Sequence, residues 1–385
     1  RAAAVLDELR ARELNDAVTL PLLMELRRSF TPAEAGALLA TARLRRRASA
    51  KFPAAERLFF TAEALEQATS DVIAAHHAAW IDELAPPGPL LDLGCGIGGD
   101  TLALARRRPV IAYDSDPLRL RLAQANAAAV GLAGQIDFHC ADWTEVWIQG
   151  RLPTAAAAFA DPSRRVNGRR VFGLNKMQPP IASLLGVLEE VPALGVKVMP
   201  GVDEREIPPG CGVEFIGQAG ACKEAVLWFG PLATQARWAS IFEDGAWSVW
   251  PVAGDAAPVG PLEPGYCLYE PHPALIRAGA LAELCGALQA HLFDPQIAYL
   301  VTTVPVDHPL TQRFVVDAVE RYSLKALNRW LQHAGIGQVE LKKLGFPVEP
   351  ESLRPRLKLT TGGSEAVIFF TRRGAEHLMI MGRRI

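Results

Sequence analysis

The sequence lacks paired cysteines. Its six, Cys95, Cys140, Cys211, Cys222, Cys267 and Cys285, form no C-x-x-C motif and fit no zinc spacing. So few in 385 residues predict reduced, buried thiols, a cytoplasmic protein and no metal site. No apolar run reaches the roughly 18 residues needed to span a bilayer, and no signal peptide is read, so no membrane partner is expected. Repeats and low-complexity tracts are also missing. Net charge is −2, so no overall basic excess advertises nucleic acid.

What is present is enough for a packed core. Half the residues are hydrophobic and 21% are charged, which excludes disorder. The length predicts two or three domains. Charge is unevenly spread. From Arg321 to the end there are 12 Lys/Arg and 5 Asp/Glu, a net of +7, while the preceding 320 residues carry 28 and 37, a net of −9. A basic end on an acidic body fits a module that meets an anion; a solvated basic surface fits equally well.

Residues 1–85 read as helical, rich in Ala, Leu, Arg and Glu. Thr31-Pro32-Ala33-Glu34 has the form of a helix start with a capping box. Arg43, Arg45, Arg46, Arg47 and Lys51 put five cations within nine positions, suited to phosphates or to a solvated helix face. Phe59 and Phe60 precede Thr61, a helix cap, and either staple that helix or close over a ligand.

From Gly88 strand and helix alternate, which predicts a doubly wound parallel sheet with ligands at the carboxyl ends of its strands. The expected strands are Pro89 to Leu93, Pro109 to Tyr113, Gln135 to Cys140, Ala155 to Ala160 and Gly195 to Met199, then Val213 to Ile216 and Ala225 to Phe229. Trp247 to Pro264 reads as a linker or hairpin. A helix is expected over His272 to Leu292 and another over Ser323 to Ala334. Strands are expected over Ile297 to Val304, Gly337 to Lys343, Leu357 to Leu359 and Ala366 to Thr371. His272 and His308 read as loop residues.

The organising stretch is Leu90 to Thr101, an apolar run ending in a glycine cluster before a helix. Gly94, Gly96 and Gly99 satisfy G-x-G-x-x-G, and Asp114 follows twenty residues after Gly94. That loop alone allows either a dinucleotide or a nucleoside cofactor. Asp92 before the glycines, Asp114, Asp142 and Asp161 at successive strand ends favour a cationic sulfonium nucleoside over a pyrophosphate.

Residues 88–165 resemble the class I S-adenosylmethionine-dependent methyltransferases. Lys51-Phe52-Pro53, Phe60-Thr61 through Thr69, Asp161-Pro162-Ser163-Arg164-Arg165 and Ser323-Leu324-Lys325 with Leu327-Asn328 resemble a bacterial family of these enzymes with a THUMP-like C-terminal domain. The resemblance implies an α/β fold: a Rossmann-like doubly wound methyltransferase domain, an N-terminal helical region and small α+β C-terminal domains. The expected divisions are 1–85, 86–235, 236–310 (ferredoxin-like) and 311–385 (THUMP-like).

The resemblance also implies site roles. Asp92, Gly94, Cys95, Gly96 and Gly98 would lie against the methionine and ribose parts of S-adenosylmethionine. Asp114, with Ser115 beside it, would take the ribose hydroxyls. Asp142 and Trp143 would sit by the adenine, although an Asp in that place is also a common helix cap. Asp161, Pro162 and Arg164 would receive the acceptor, with Asp161 also near the cofactor. Methyltransferases of exocyclic amines carry D/N-P-P-aromatic there; this chain has Ser163 and Arg164 instead, so the stacking clamp is missing and Arg164 or Arg165 is left to bind phosphate or stack. No Pro-Cys pair follows strand four, which disfavours ring-carbon methylation. Methyl transfer needs alignment and exclusion of water, and Asp161 is the one named candidate for base or hydrogen-bond acceptor.

The expected function is methylation of a base in structured RNA, tRNA or rRNA, with S-adenosylmethionine and RNA as cofactor and partner. The alternatives are a methyltransferase of a protein or small molecule, a noncatalytic RNA-binding protein with a vestigial cofactor fold, and a nicotinamide oxidoreductase.

Overall fold

A computed structural model describes residues 1–163, 165–166, 169–170 and 173–385. It divides into one unit of residues 1–212 and 226–234 and a second of residues 213–225 and 235–385.

The first unit opens with helices α1 (Ala2–Arg10), α2 (Thr19–Leu26), α3 (Pro32–Ala48), α4 (Ala62–Gln67) and α5 (Asp71–Leu84). Thr31 and Glu34 form the expected capping box, with Pro32 in the first turn of α3. The basic run is drawn inward. Arg43 donates to the carbonyls of Leu14 and Asn15, Arg45 to Leu58, and Arg46 to Arg12. Lys51 Nζ donates to the carbonyls of Leu65, Glu66 and Ala68, at the C-terminal end of α4. A cation there satisfies carbonyls the helix leaves unpaired. Arg43, Arg45 and Lys51 fasten neighbouring segments, whereas Arg46 and Arg47 remain exposed on the helix.

Strands β1 (Leu90–Leu93), β2 (Val110–Asp114), β3 (Ile136–Cys140), β4 (Ala157–Ala160) and β5 (Leu194–Val198) follow, all parallel. Between and after them lie α6 (Gly99–Ala105), α7 (Pro117–Ala129), α8 (Trp143–Ile148) and α9 (Ile181–Gly186). β6 (Gly212–Gln218) falls in the second unit apart from its first residue, and β7 (Ala221–Phe229) is divided between the two. The order in the first unit is β7-β5-β4-β1-β2-β3. β1, β4 and β5 are buried along their whole length, as a sheet covered on both faces requires. The doubly wound α/β fold expected from the alternation is therefore present.

In the second unit β6 pairs parallel with β8 (Arg237–Glu243), which turns through Asp244 and Gly245 into the antiparallel β9 (Ala246–Pro251). Seven further strands form one sheet: β10 (Cys267–Pro271), β11 (His291–Leu292), β12 (Leu300–Thr302), β13 (Thr311–Arg321), β14 (Ile336–Lys343), β15 (Ser364–Arg373) and β16 (Glu376–Arg384), in the order β11-β12-β10-β13-β16-β15-β14. The division expected at 310/311 falls between β12 and β13 of this sheet. Successive residues of β15 enter different cores. Val367 and Phe369 pack with Leu268, Phe293 and Phe314, and Ile368 and Phe370 with Leu327, Leu331 and Phe346.

Three readings need correction. The helix expected over His272 to Leu292 is two, α10 (Pro273–Ala278) and α11 (Leu281–Leu288), because Gly279 takes a left-handed conformation at φ +82°. Leu357 to Leu359 is not a strand; the Lys358 amide is taken by the Asn328 side chain. β13 and β16 have no counterpart in the sequence reading, because charged residues break the apolar alternation of β13 and the core of β16 is a four-residue apolar run without alternation. α12 (Leu324–His333) lies within one residue of expectation at each end.

Candidate functional site

The glycine loop leaves β1 and is tied to β2. The Gly94 and Cys95 amides both donate to the Tyr113 carbonyl, at 3.0 and 2.8 Å. Gly94, Gly96 and Gly98 have φ of +111°, +56° and +94°, where side chains other than hydrogen are strained. A Cβ on Gly94 would stand 3.5 Å from the Asp161 carbonyl, while one on Gly96 would meet nothing within 4 Å. Gly96 thus presents bare backbone to open space. Cys95 is 6% exposed, and burial pushes its thiol up. It belongs to the packing of the loop.

Asp114 closes the loop from the other side. Its Oδ2 accepts the Gly96 amide and its Oδ1 the Asp116 amide, both at 2.8 Å. Burial raises its carboxyl and those two amides oppose the rise. Two amides leave a carboxylate with further acceptor positions, enough for a vicinal diol. Ser115 beside it is exposed. Asp142 is exposed and caps α8, accepting the Thr144 amide at 2.9 Å, and Trp143 is buried.

Asp92 is 2% exposed and accepts a hydrogen bond from Thr101 Oγ1 at 2.5 Å. Burial pushes its carboxyl up to about 8. Nearby Asp100, Asp161 and Asp114 add to the rise and Thr101 opposes it.

A buried network lies behind this loop. Asp100, in the first turn of α6, accepts from Thr69 Oγ1 at 2.9 Å and sits 2.8 Å from His77 Nδ1. Lys197, 5% exposed in β5, donates to Thr69 Oγ1 at 2.7 Å, lies 3.8 Å from Asp100 and forms an ion pair with Asp161. Burial alone would raise the Asp100 carboxyl; Lys197, His77 and Thr69 outweigh it and hold the group at about 2. His77, on α5, is fully buried against the Phe159 ring at 4.9 Å. Sequence spacing flags neither His77 nor Thr69. Lys197 is readable as a lone cation in an apolar strand, one residue past Val196, which pairs with Ala160.

A second bracket is Asn126 of α7, 2% exposed. Its side chain accepts the Phe59 amide at 2.7 Å and donates to the carbonyls of Phe59 (3.1 Å) and Ile97 (2.9 Å). It joins the glycine loop to the segment ahead of α4. Phe60, 8% exposed, packs on Phe52 with ring centres 5.5 Å apart, so it is a core residue and not a lid.

Asp161 follows β4 and is half-buried; Pro162 is buried. Ser163 makes an antiparallel bridge with Gln178 through amide–carbonyl bonds of 2.9 and 3.0 Å. Arg164 lies outside the described residues. The structure therefore gathers Asp92, Asp100, Asp114 and Asp161 around one loop with one buried lysine. Excess negative charge, an unobstructed glycine and a diol-competent carboxylate fit a cationic nucleoside cofactor.

Comparison with known proteins agrees. The family model described as "Methyltransferase domain" matches residues 90–160, and the one described as "THUMP domain-like" matches residues 311–384. A Mycobacterium tuberculosis (strain ATCC 25618 / H37Rv) protein, described as an uncharacterized S-adenosylmethionine-dependent methyltransferase, is 31% identical over 357 residues. The match covers 89% of this chain and 94% of that protein. A Parasynechococcus marenigrum (strain WH8102) protein, described as an uncharacterized RNA methyltransferase, is 32% identical over 94 residues, 24% of this chain and 20% of the relative. A solved structure from Porphyromonas gingivalis W83, described as that of a methyltransferase candidate, superimposes with a TM-score of 0.74 at 17% identity, covering 100% of this chain and 97% of the other.

Proposed function

The chain belongs to the S-adenosylmethionine-dependent methyltransferases with a THUMP-like C-terminal domain, and from that premise we propose that it methylates a base of structured RNA, tRNA or rRNA. The carrying observation is the THUMP-like match over the basic end of the chain.

The structure narrows which cations are available. Lys342 pairs with Glu270 and Glu340, Lys343 with Glu349, Arg354 with Glu351, Arg383 with Asp317 and Arg384 with Glu340. Lys325, Arg329, Arg356 and Lys358 have no carboxylate partner among the described residues and are exposed. Asn328 of α12 donates to the Arg356 carbonyl at 3.0 Å and accepts the Lys358 amide at 2.8 Å. It joins the two pairs of cations into one patch. These four take the RNA backbone, since unneutralised cations release counterions from phosphates.

In the catalytic domain, Asp114 takes the ribose hydroxyls, the Gly94–Gly98 backbone admits the cofactor closely, and Asp92 faces its positive charge. S-adenosylmethionine supplies a methyl group already activated on a sulfonium. Asp161 accepts a hydrogen bond from the acceptor's N–H and orients its lone pair, and Pro162 stiffens the turn that carries it. Alignment and exclusion of water then account for rate. The test is labelled-methyl transfer to total RNA from a strain lacking this enzyme, followed by nucleoside mass spectrometry. Label in a single modified nucleoside is expected; label in protein alone refutes the RNA reading.

A further inference from the structure

Lys197 touches three segments that come from different parts of the chain. Thr69 precedes α5, Asp100 lies in the first turn of α6 behind the glycine loop, and Asp161 directly follows β4. Taking an ammonium out of water is costly, so partners of opposite charge must compensate it. Each partner is itself fixed. Thr69 directly follows the Lys51-capped end of α4, and Asp100 is held by His77. Extending the parallel register Ala160↔Val196 by one residue sets Asp161 opposite Lys197.

We propose that Lys197 is a positioning residue for methyl transfer, fixing the Asp161 carboxylate relative to the cofactor helix through Asp100 and Thr69. The inference rests on the reading that Asp161 receives the acceptor. Asp161 lies on a loop end and is half-buried, so without an anchor it has rotamers that turn away from the cofactor loop. The ion pair removes them. Lys197 is 5% exposed and paired with Asp161, so it acts through that carboxylate. Its link to Asp100 makes the distance between acceptor group and glycine loop a property of one buried cluster, and displacements of about 1 Å in such a geometry cost roughly 100-fold in rate.

The test compares Lys197→Met, Lys197→Arg, Asp161→Asn and the Lys197→Met/Asp161→Asn pair in the full chain. S-adenosylhomocysteine affinity is read by calorimetry, and single-turnover methyl transfer is read on RNA from the strain lacking the enzyme. Lys197→Met is expected to slow transfer about 100-fold while affinity changes less than about threefold. Lys197→Arg recovers part of the rate, and the pair is no slower than Asp161→Asn alone. An unchanged rate, equal losses of rate and affinity, or losses that multiply in the pair overturn the proposal.

If Lys197→Met does not fold, Lys197→Arg and Thr69→Val replace it. Both must slow transfer at constant affinity, and failure to do so overturns the proposal. If the wild type labels protein and not RNA, the RNA reading fails and the same comparison runs on that protein. If it labels nothing, the 13C carboxyl resonance of Asp161 decides. Its pH titration must move upward when the cation is removed in Lys197→Met, and coincident curves sink the inference.

Discussion

The Thr101 hydroxyl lies 2.5 Å from the Asp92 carboxylate, a group 2% exposed at the end of β1. One hydrogen bond does not offset the burial, and the carboxyl titrates at about 8. At pH 7 the free protein therefore holds Asp92 mostly protonated. A cationic cofactor favours the ionised form, so binding should expel a proton. Affinity for S-adenosylmethionine is expected to rise with pH between 6 and 8, by up to about tenfold per unit. Asp92→Asn should abolish the slope. Calorimetry in buffers of different ionisation enthalpy counts the proton, and no release at pH 7 contradicts the assignment.

The same carboxyl sets a stability trend in the free protein. Its folded value lies above the ordinary 3.8, so the stability it contributes is full below that pH and is lost as pH rises toward about 8. Asp100 runs the other way: held at about 2, its contribution is present above 3.8 and is lost as pH falls through about 2. Asp92→Asn should therefore stabilise the free protein at pH 8 but not at pH 4, by at most about 5 kcal/mol. Chemical denaturation at the two pH values checks the difference; a gain of the same size at both rules the account out.

Gly96 separates folding from binding. Its φ of +56° is one that alanine tolerates at a cost of about 1–2 kcal/mol, and a Cβ there meets nothing in the free protein. Gly96→Ala should fold with stability lowered by about that amount. Its affinity for S-adenosylhomocysteine should fall roughly 10–100-fold, the cost of a methyl group forced against a bound ligand. Calorimetry alongside a melting curve tests both halves. Unchanged affinity would mean that the ligand does not approach Gly96.

The loop and its aspartates were legible because their spacing is local: a strand, a tight turn and a helix fix where Asp92, Gly94, Gly96 and Asp114 fall. The network behind them was not. Lys197 and Asp161 are 36 positions apart and meet through the pairing of β4 with β5, which no local pattern encodes. Lys51 reads in sequence as one cation of a basic run and Thr69 carries no role there, because their roles depend on the end of α4 coming back to residue 51. The basic C-terminal end misled by count. Lys342 is neutralised by Glu270, 72 positions earlier, and only the sheet reveals the pairing.

Asn126 should behave as a joint between the loop and the helical region. Replacing it with alanine leaves the Phe59 amide and the Ile97 carbonyl without their side-chain partner inside the protein. Losing such buried bonds costs about 1–3 kcal/mol each, so Asn126→Ala should lower stability by about 2–6 kcal/mol. Because Ile97 sits in the glycine loop, cofactor affinity should fall too. Denaturant unfolding with and without S-adenosylhomocysteine reads both. Lost stability with full affinity would show that the loop is held by β2 alone.

The α12 patch carries the last prediction. Lys325, Arg329, Arg356 and Lys358 converge through Asn328, whereas Lys343 and Arg354 are already paired with Glu349 and Glu351. If the patch meets RNA phosphates, Lys325→Ala/Arg329→Ala/Arg356→Ala/Lys358→Ala should weaken binding of total tRNA and flatten its log–log dependence on salt. Each lost phosphate contact is worth about 0.7–0.9 in that slope, so the full set changes it by roughly 3. Lys343→Ala/Arg354→Ala removes the same charge per residue but leaves two carboxylates uncovered. If bulk charge alone governs binding, the two-residue change should cost at least half as much slope as the four-residue one. If the patch is the contact, it should cost little. Asn328→Ala sharpens the choice, because it removes no charge at all and only frees the 356–358 segment. A loss of affinity in that variant, with the salt slope of the wild type partly retained, identifies the spatial arrangement of the four cations as what the RNA reads.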